Sequence, residues 1–97
     1  IRAVEPLEGI EEMKKHRKAD NIIELTCGPG KLTRAMRITR ELNRVDLTNS
    51  RSEIFICDSE CESDTNLKIL SSHRIGVKKD LARELRFYIE GNPFVSR

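Results

Sequence analysis

The stretch that most constrains the fold is RFYIEGNPFVSR, residues 86 to 97. Phe87, Tyr88 and Ile89 supply the β-favouring bulk of a strand, Gly91, Asn92 and Pro93 supply turn chemistry, and Phe94 and Val95 resume an apolar run. The unit reads as a hairpin-like ending. Other strands are expected at Arg2-Ala3-Val4, cut short by Pro6, at Ile54 to Cys57, and at RIGV, residues 74 to 77. A last strand, LRFYI, residues 85 to 89, follows a link from Lys78 to Glu84.

Helical patterning fills the first half. From Glu8 to Lys18, Ile10 and Met13 share one face, the acids Glu8, Glu11 and Glu12 occupy the first turn and bases occupy the last, the order that complements a helix dipole. CGPGKL, residues 27 to 32, predicts a second helix: Pro29 suits the first helical position, Gly28 the turn before it, and Leu32, Ala35 and Met36 form an apolar stripe. Ile22 to Leu25 is short and apolar, and its pattern fits a strand or a helical turn equally.

How much core these elements can share is set by composition. A chain of 97 residues buries roughly 60 to 65% of its unfolded surface. With 37% hydrophobic residues, 4% aromatic, no Trp and 35% charged, that core is lean. Ile1 is no translation start, and IRAV reads as a strand in progress, so a fragment or processed piece is expected.

Net charge is only +2, but the signs are segregated. KKHRK, residues 14 to 18, is basic, as are Lys31, Arg34, Arg37, Arg40 and Arg44, whereas Glu53, Asp58, Glu60, Glu62 and Asp64 form an acidic pole without a base. From charge alone two solvated faces are the simpler reading; a polyanion on the basic side is the functional alternative. Lys31, Arg34 and Arg37 recur every three residues and are expected to track along one side of the second helix. The glycine-opened start, Gly28 before Pro29 and Gly30 after it, exposes free backbone N–H groups beside Lys31 that could hold a phosphate; an ordinary helix start with a solvated lysine is the simpler reading. It is no Walker loop, because neither the glycine spacing nor the following Ser or Thr is present.

Three cysteines, with no apolar run long enough for a signal or a membrane span, point to a reducing interior. Cys57-x3-Cys61 with His73 or His16 lacks the second closely spaced ligand pair of a structural zinc site, so no metal is expected.

Taken in order, RAVEPLEG, GPGKL, VDLT, RIGV and RFYIEGNPFVSR resemble the C-terminal half of the alkyladenine (3-methylpurine) DNA glycosylase family, from Arg2 to Arg97. The resemblance implies an α+β domain, a curved antiparallel sheet with flanking helices, of which residues 1–97 are about half. It implies hydrolysis of the N-glycosidic bond of alkylated or deaminated purines flipped out of damaged double-stranded DNA, without metal or other cofactor. It also implies an intracellular place of work, the cytoplasm of a prokaryote or the nucleus of a eukaryote. The family's general base, intercalating aromatic and base-flanking aromatic walls belong to its N-terminal half. None falls in this sequence, so a companion N-terminal half is implied.

Residue by residue, Arg2 matches an arginine that helps hold the nucleophilic water, and Ile75 matches the residue whose backbone carbonyl accepts a hydrogen bond from it. Lys31 and Arg40 match positions contacting the DNA backbone, with Gly30 and Arg34 beside them on the basic helix. Lys78 to Glu84 departs from the family: it is shorter than in some members and has Glu84-Leu85 where many have Pro followed by an aromatic or Leu. On charge alone Arg2 would pair with Glu5 or another acid at a strand end. The alternatives to a glycosylase are a non-catalytic nucleic-acid-binding fragment and a structural piece unstable without its partner half.

Overall fold

The computed structural model describes residues 1–58 and 67–96. Helix α1 spans Ile10–Arg17 and α2 spans Pro29–Ala35; short 3-10 turns cover Ile22–Glu24 and Arg40–Leu42. Strands β1, Ile69–Ser72, and β2, Arg86–Ile89, pair antiparallel, Ile69 opposite Ile89 and Ser72 opposite Arg86. The class is α+β, as expected.

Helix α1 is shorter than the patterned stretch because both ends leave helical geometry: Gly9 has φ 69° and Lys18 has φ 51°. Inside those limits the charge order holds, with Glu11 and Glu12 first and Lys14, Lys15, His16 and Arg17 last. Helix α2 starts on Pro29, whose missing N–H costs nothing in the first turn. It stops after Ala35 in a paired closure: the Arg37 amide donates to the Arg34 carbonyl and the Ile38 amide to the Thr33 carbonyl, with Arg37 left-handed at φ 53°. Glycine usually takes that position.

The helices pack on each other, and the core lies beneath them. Leu25, Leu32 and Ala35 are buried, and Pro6 with them. Each buried leucine contributes about 1.5–3 kcal/mol relative to an exposed one. Met36, the third member of the expected stripe, is exposed. The polar groups in this region are satisfied internally. Arg17 donates from Nε to the Leu25 carbonyl and from its second amino group to the Glu24 carbonyl, both at 3.1 Å. His16 Nδ1 lies 2.9 Å from the Ala35 carbonyl at the end of α2. Buried Thr26 donates its hydroxyl to the Val4 carbonyl at 2.6 Å and fastens residues 1–6 to the helical layer.

Four expected strands take other forms. Arg2-Ala3-Val4 makes one backbone bond, Val4 N–H to the Thr26 carbonyl at 3.4 Å, and no ladder. Ile54 to Cys57 is irregular, held by the Ile56 amide on the Leu47 carbonyl. RIGV is a turn at Ile75-Gly76, with Gly76 at φ 76°, and β2's partner is the preceding segment Ile69–Ser72. Phe94 and Val95 do not resume extended pairing, because the Asn92 side chain accepts the Phe94 amide at 2.8 Å and curls the tail after Gly91, itself at φ 72°.

The ladder continues one step beyond β2, through the Glu90 amide on the Lys68 carbonyl at 2.9 Å. One face of the sheet carries Ile69 and Phe87, 66% and 68% exposed.

Candidate functional site

A cleft of about 460 Å³ lies between residues 1–5 and the C-terminal unit of β2 and its tail. Two arginines meet in it around buried Ser96. Arg2 donates from Nε to the Ser96 hydroxyl at 3.4 Å, and Arg86 donates to the Ser96 carbonyl at 2.6 Å and to the Ser72 hydroxyl at 3.0 Å. The Arg86 guanidinium also stacks over Tyr88, 4.2 Å from the ring centre, which holds its plane. Arg2 itself is exposed and, among the described residues, pairs with no acid, so the Glu5 pairing that charge alone suggests does not form. A guanidinium fixed at one nitrogen, with other donors free at a cleft wall, can orient a water or steady a carboxylate.

Ile75 lies elsewhere, half-buried in the turn between β1 and β2 and outside the lining of this cleft. Asp80 closes that turn. Its Oδ2 accepts the Arg74 backbone amide at 2.8 Å; its Oδ1 accepts Arg74 Nε at 2.7 Å and the Leu81 amide at 2.8 Å, with a second guanidinium nitrogen at 2.7 Å. Hydrogen bonds from the Arg74 side chain, then from the Arg74 amide, hold the Asp80 carboxyl below the usual carboxylate range.

The basic residues divide into two sets. In KKHRK, Lys14 and Lys15 pair with Glu11 and Glu12 at 3.3 Å, and His16 and Arg17 turn inward to carbonyls, so the run is largely engaged by its own fold. Lys31, Arg34, Arg37, Arg40 and Arg44 are all exposed, and no carboxylate of the described residues lies within 4.0 Å of any of them.

Gly30 and Lys31 occupy the first turn of α2 and Arg34 lies one turn on, but Arg37 falls beyond the helix, so the expected ridge bends there. Lys31 Nζ rests 3.6 Å from Cys27 Sγ. Beyond the bend, a shallow groove lined by Thr33, Thr39, Arg40 and Asn43, with Ile38 and Leu42 behind, joins α2 to the Arg40–Leu42 turn.

The organisers Ser96, Arg86 and Asp80 were not apparent from the sequence. Asp80 alone left a trace there, as the one acid among Lys78, Lys79 and Arg83. Of the cysteine pair set against a zinc site, Cys57 is exposed and Cys61 lies outside the described residues, as do Glu60, Glu62 and Asp64 of the acidic pole.

The chain is 43% identical over 96 residues to a protein of Mesorhizobium japonicum provisionally named 3-methyladenine DNA glycosylase, covering 99% of this chain and 44% of that protein. A protein of the same provisional name from Chlorobium phaeobacteroides is 44% identical over 96 residues, with 99% and 46% covered. One from Francisella tularensis is 37% identical over 97 residues, with 100% and 50% covered. The chain thus spans about half the length of the curated relatives it matches. The model of the methylpurine-DNA glycosylase family matches residues 1–93. With nearly its whole length accounted for in this way, the chain belongs to the methylpurine-DNA glycosylase family.

Proposed function

We propose that residues 1–97 form the C-terminal half of a monofunctional DNA glycosylase domain that hydrolyses the N-glycosidic bond of alkylated or deaminated purines. The family match over residues 1–93 carries this reading, and the exposed cations from Lys31 to Arg44, free of described acids, support duplex DNA as the substrate. Water cannot reach the anomeric carbon inside a base stack, so the purine is flipped out first. A neutral purine leaves poorly, so the water must be fixed about 3 to 3.5 Å from the reacting carbon, with a base to take its proton. In this scheme Arg2 orients that water and the Ile75 carbonyl accepts a hydrogen bond from it, although these residues alone do not gather the two in one cleft, while Gly30, Lys31, Arg34 and Arg40 seat the phosphate backbone.

The general base and the group that fills the vacated stack come from a companion N-terminal half. The exposed Ile69 and Phe87 face of the sheet supports a covering partner, as does the doubled length of the relatives. No cofactor enters this scheme. The enzyme works where the genome lies, in the cytoplasm of a bacterium or the nucleus of a eukaryote.

A duplex oligonucleotide carrying one alkylated or deaminated purine, incubated with the protein at the relatives' full length, should release the free base and leave an unbroken abasic strand. Intact lesion after a single-turnover incubation would remove the glycosylase assignment. A second reading, a nucleic-acid-binding piece without catalysis, is favoured by one observation: the exposed cation set from Lys31 to Arg44 lies wholly within these residues. Retention of the isolated 97 residues on undamaged duplex, without base release by the full-length form, would select it.

A further inference from the structure

Asp80 has a geometry that the proposed function does not use. A carboxylate only 12% exposed takes hydrogen bonds from the Arg74 amide, the Arg74 side chain and the Leu81 amide, at 2.7 to 2.8 Å. Charge-assisted bonds of this length are the stronger class. Together they close a ring from Arg74 to Leu81 that contains the turn at Ile75-Gly76. Within the ring, Gly76 sits at φ 76°, and a Cβ built there would meet nothing within 4 Å, so backbone geometry and not space calls for glycine. The base of the ring is fastened separately, by the Ser71 hydroxyl on Glu84 Oε2 at 2.6 Å. Among the described residues, His73 also faces the carboxylate, with Nδ1 4.0 Å from Oδ2.

We infer that Asp80 is a positioning residue: by holding the backbone on both sides of Ile75, it fixes the direction of the Ile75 carbonyl. The inference rests on the proposed role of that carbonyl toward the water. It supplies what a carbonyl in an exposed loop otherwise lacks, a rigid mount. A positioned acceptor lowers the barrier only while its geometry is held, and a shift of about 1 Å can cost as much as about 100-fold in rate. Arg74 is half of the same mount, and Asp80 touches neither the water nor DNA in this scheme.

The test uses the full-length protein with Asp80→Asn, Arg74→Lys and, as a control in the same loop, Lys79→Ala. Single-turnover excision and binding of the damaged duplex are measured separately, with amide hydrogen exchange at Arg74 and Leu81. Asp80→Asn keeps the shape and loses the charge; Arg74→Lys keeps the charge and loses the fork, and decides the matter if the first variant does not fold. The expected result is faster exchange at both amides, excision slowed by about tenfold or more, binding within about twofold, and Lys79→Ala like the parent. Excision slowed less than about fivefold in a folded variant with faster exchange overturns the positioning role and leaves the glycosylase reading standing. A parent that releases no base overturns both.

Discussion

Arg2 and Ser96, 94 positions apart in the chain, meet across the cleft at 3.4 Å, and Ser96 in turn holds Arg86 through its carbonyl at 2.6 Å. The two ends of the described structure are thereby joined through one buried serine. If Arg2 serves the water, Arg2→Ala should cut base release by the full-length protein far more than it cuts binding to damaged DNA. Ser96→Ala should lower stability only by about 0.5–1.5 kcal/mol, since the carbonyl link to Arg86 survives. Single-turnover kinetics decide the first point. An excision rate within about twofold of the parent, under about 0.5 kcal/mol of barrier, would return Arg2 to a structural role.

The two sets of basic residues should separate in a salt titration. Lys31→Ala should weaken duplex binding for any sequence and lower the salt slope by about 1. Lys14→Ala should do less, since Lys14 already pairs with Glu11 at 3.3 Å. Equal effects at both positions, or binding indifferent to salt, would dissolve the assignment.

Asp80 gives an acid limit. Its carboxyl is held below the ordinary 3.8 by hydrogen bonds from Arg74, so the folded chain gives up that proton more readily than the unfolded one. Its contribution is therefore whole above the ordinary value and is lost as pH falls through the lowered one. Asp46, held low by Thr48, adds in the same direction. Melting temperature followed from about pH 5 down to about pH 2 should fall less steeply for Asp80→Asn than for the parent, without becoming flat. Superimposable profiles would show that the clamp does not contribute to acid stability.

The core is small enough for one side chain to matter. Leu25 is fully buried, and Leu25→Ala should cost the full-length protein about 2–5 kcal/mol, a large part of the 5–15 kcal/mol typical of a domain. The isolated 97 residues, with Ile69 and Phe87 uncovered, should melt broadly. A sharp cooperative transition from that piece alone would contradict the need for a companion half.

Local chemistry was legible where it acts through neighbours in the chain. Pro29 announced the start of α2, the acids and bases of α1 fell in dipole order, and four of the five residues of LRFYI became β2. What escaped depends on distant partners. RIGV has the composition of a strand, yet Asp80 captures the Arg74 amide that a ladder would need. Asn92 does the same to the Phe94 amide. The ridge was read as straight because threefold spacing persists to Arg37, whereas the helix had already closed on the Arg34 and Thr33 carbonyls. Within the cleft, Arg2 was visible only through resemblance, and nothing in a serine next to the last residue pointed to its buried place.

Every non-glycine residue of positive φ among the described residues is a cation: Lys18, Arg37 and Arg44. A left-handed conformation costs a side-chain-bearing residue about 1–2 kcal/mol that glycine escapes. If the basic run seats DNA as proposed, these positions set thermal robustness against grip on a polyanion. Lys18→Gly should gain the first at the smaller expense to the second, since Lys18 lies outside the run proposed to seat DNA, whereas Arg37→Gly and Arg44→Gly, within that run, should gain it while weakening duplex binding. An engineer seeking a hardier protein would begin at Lys18 and leave the two arginines alone.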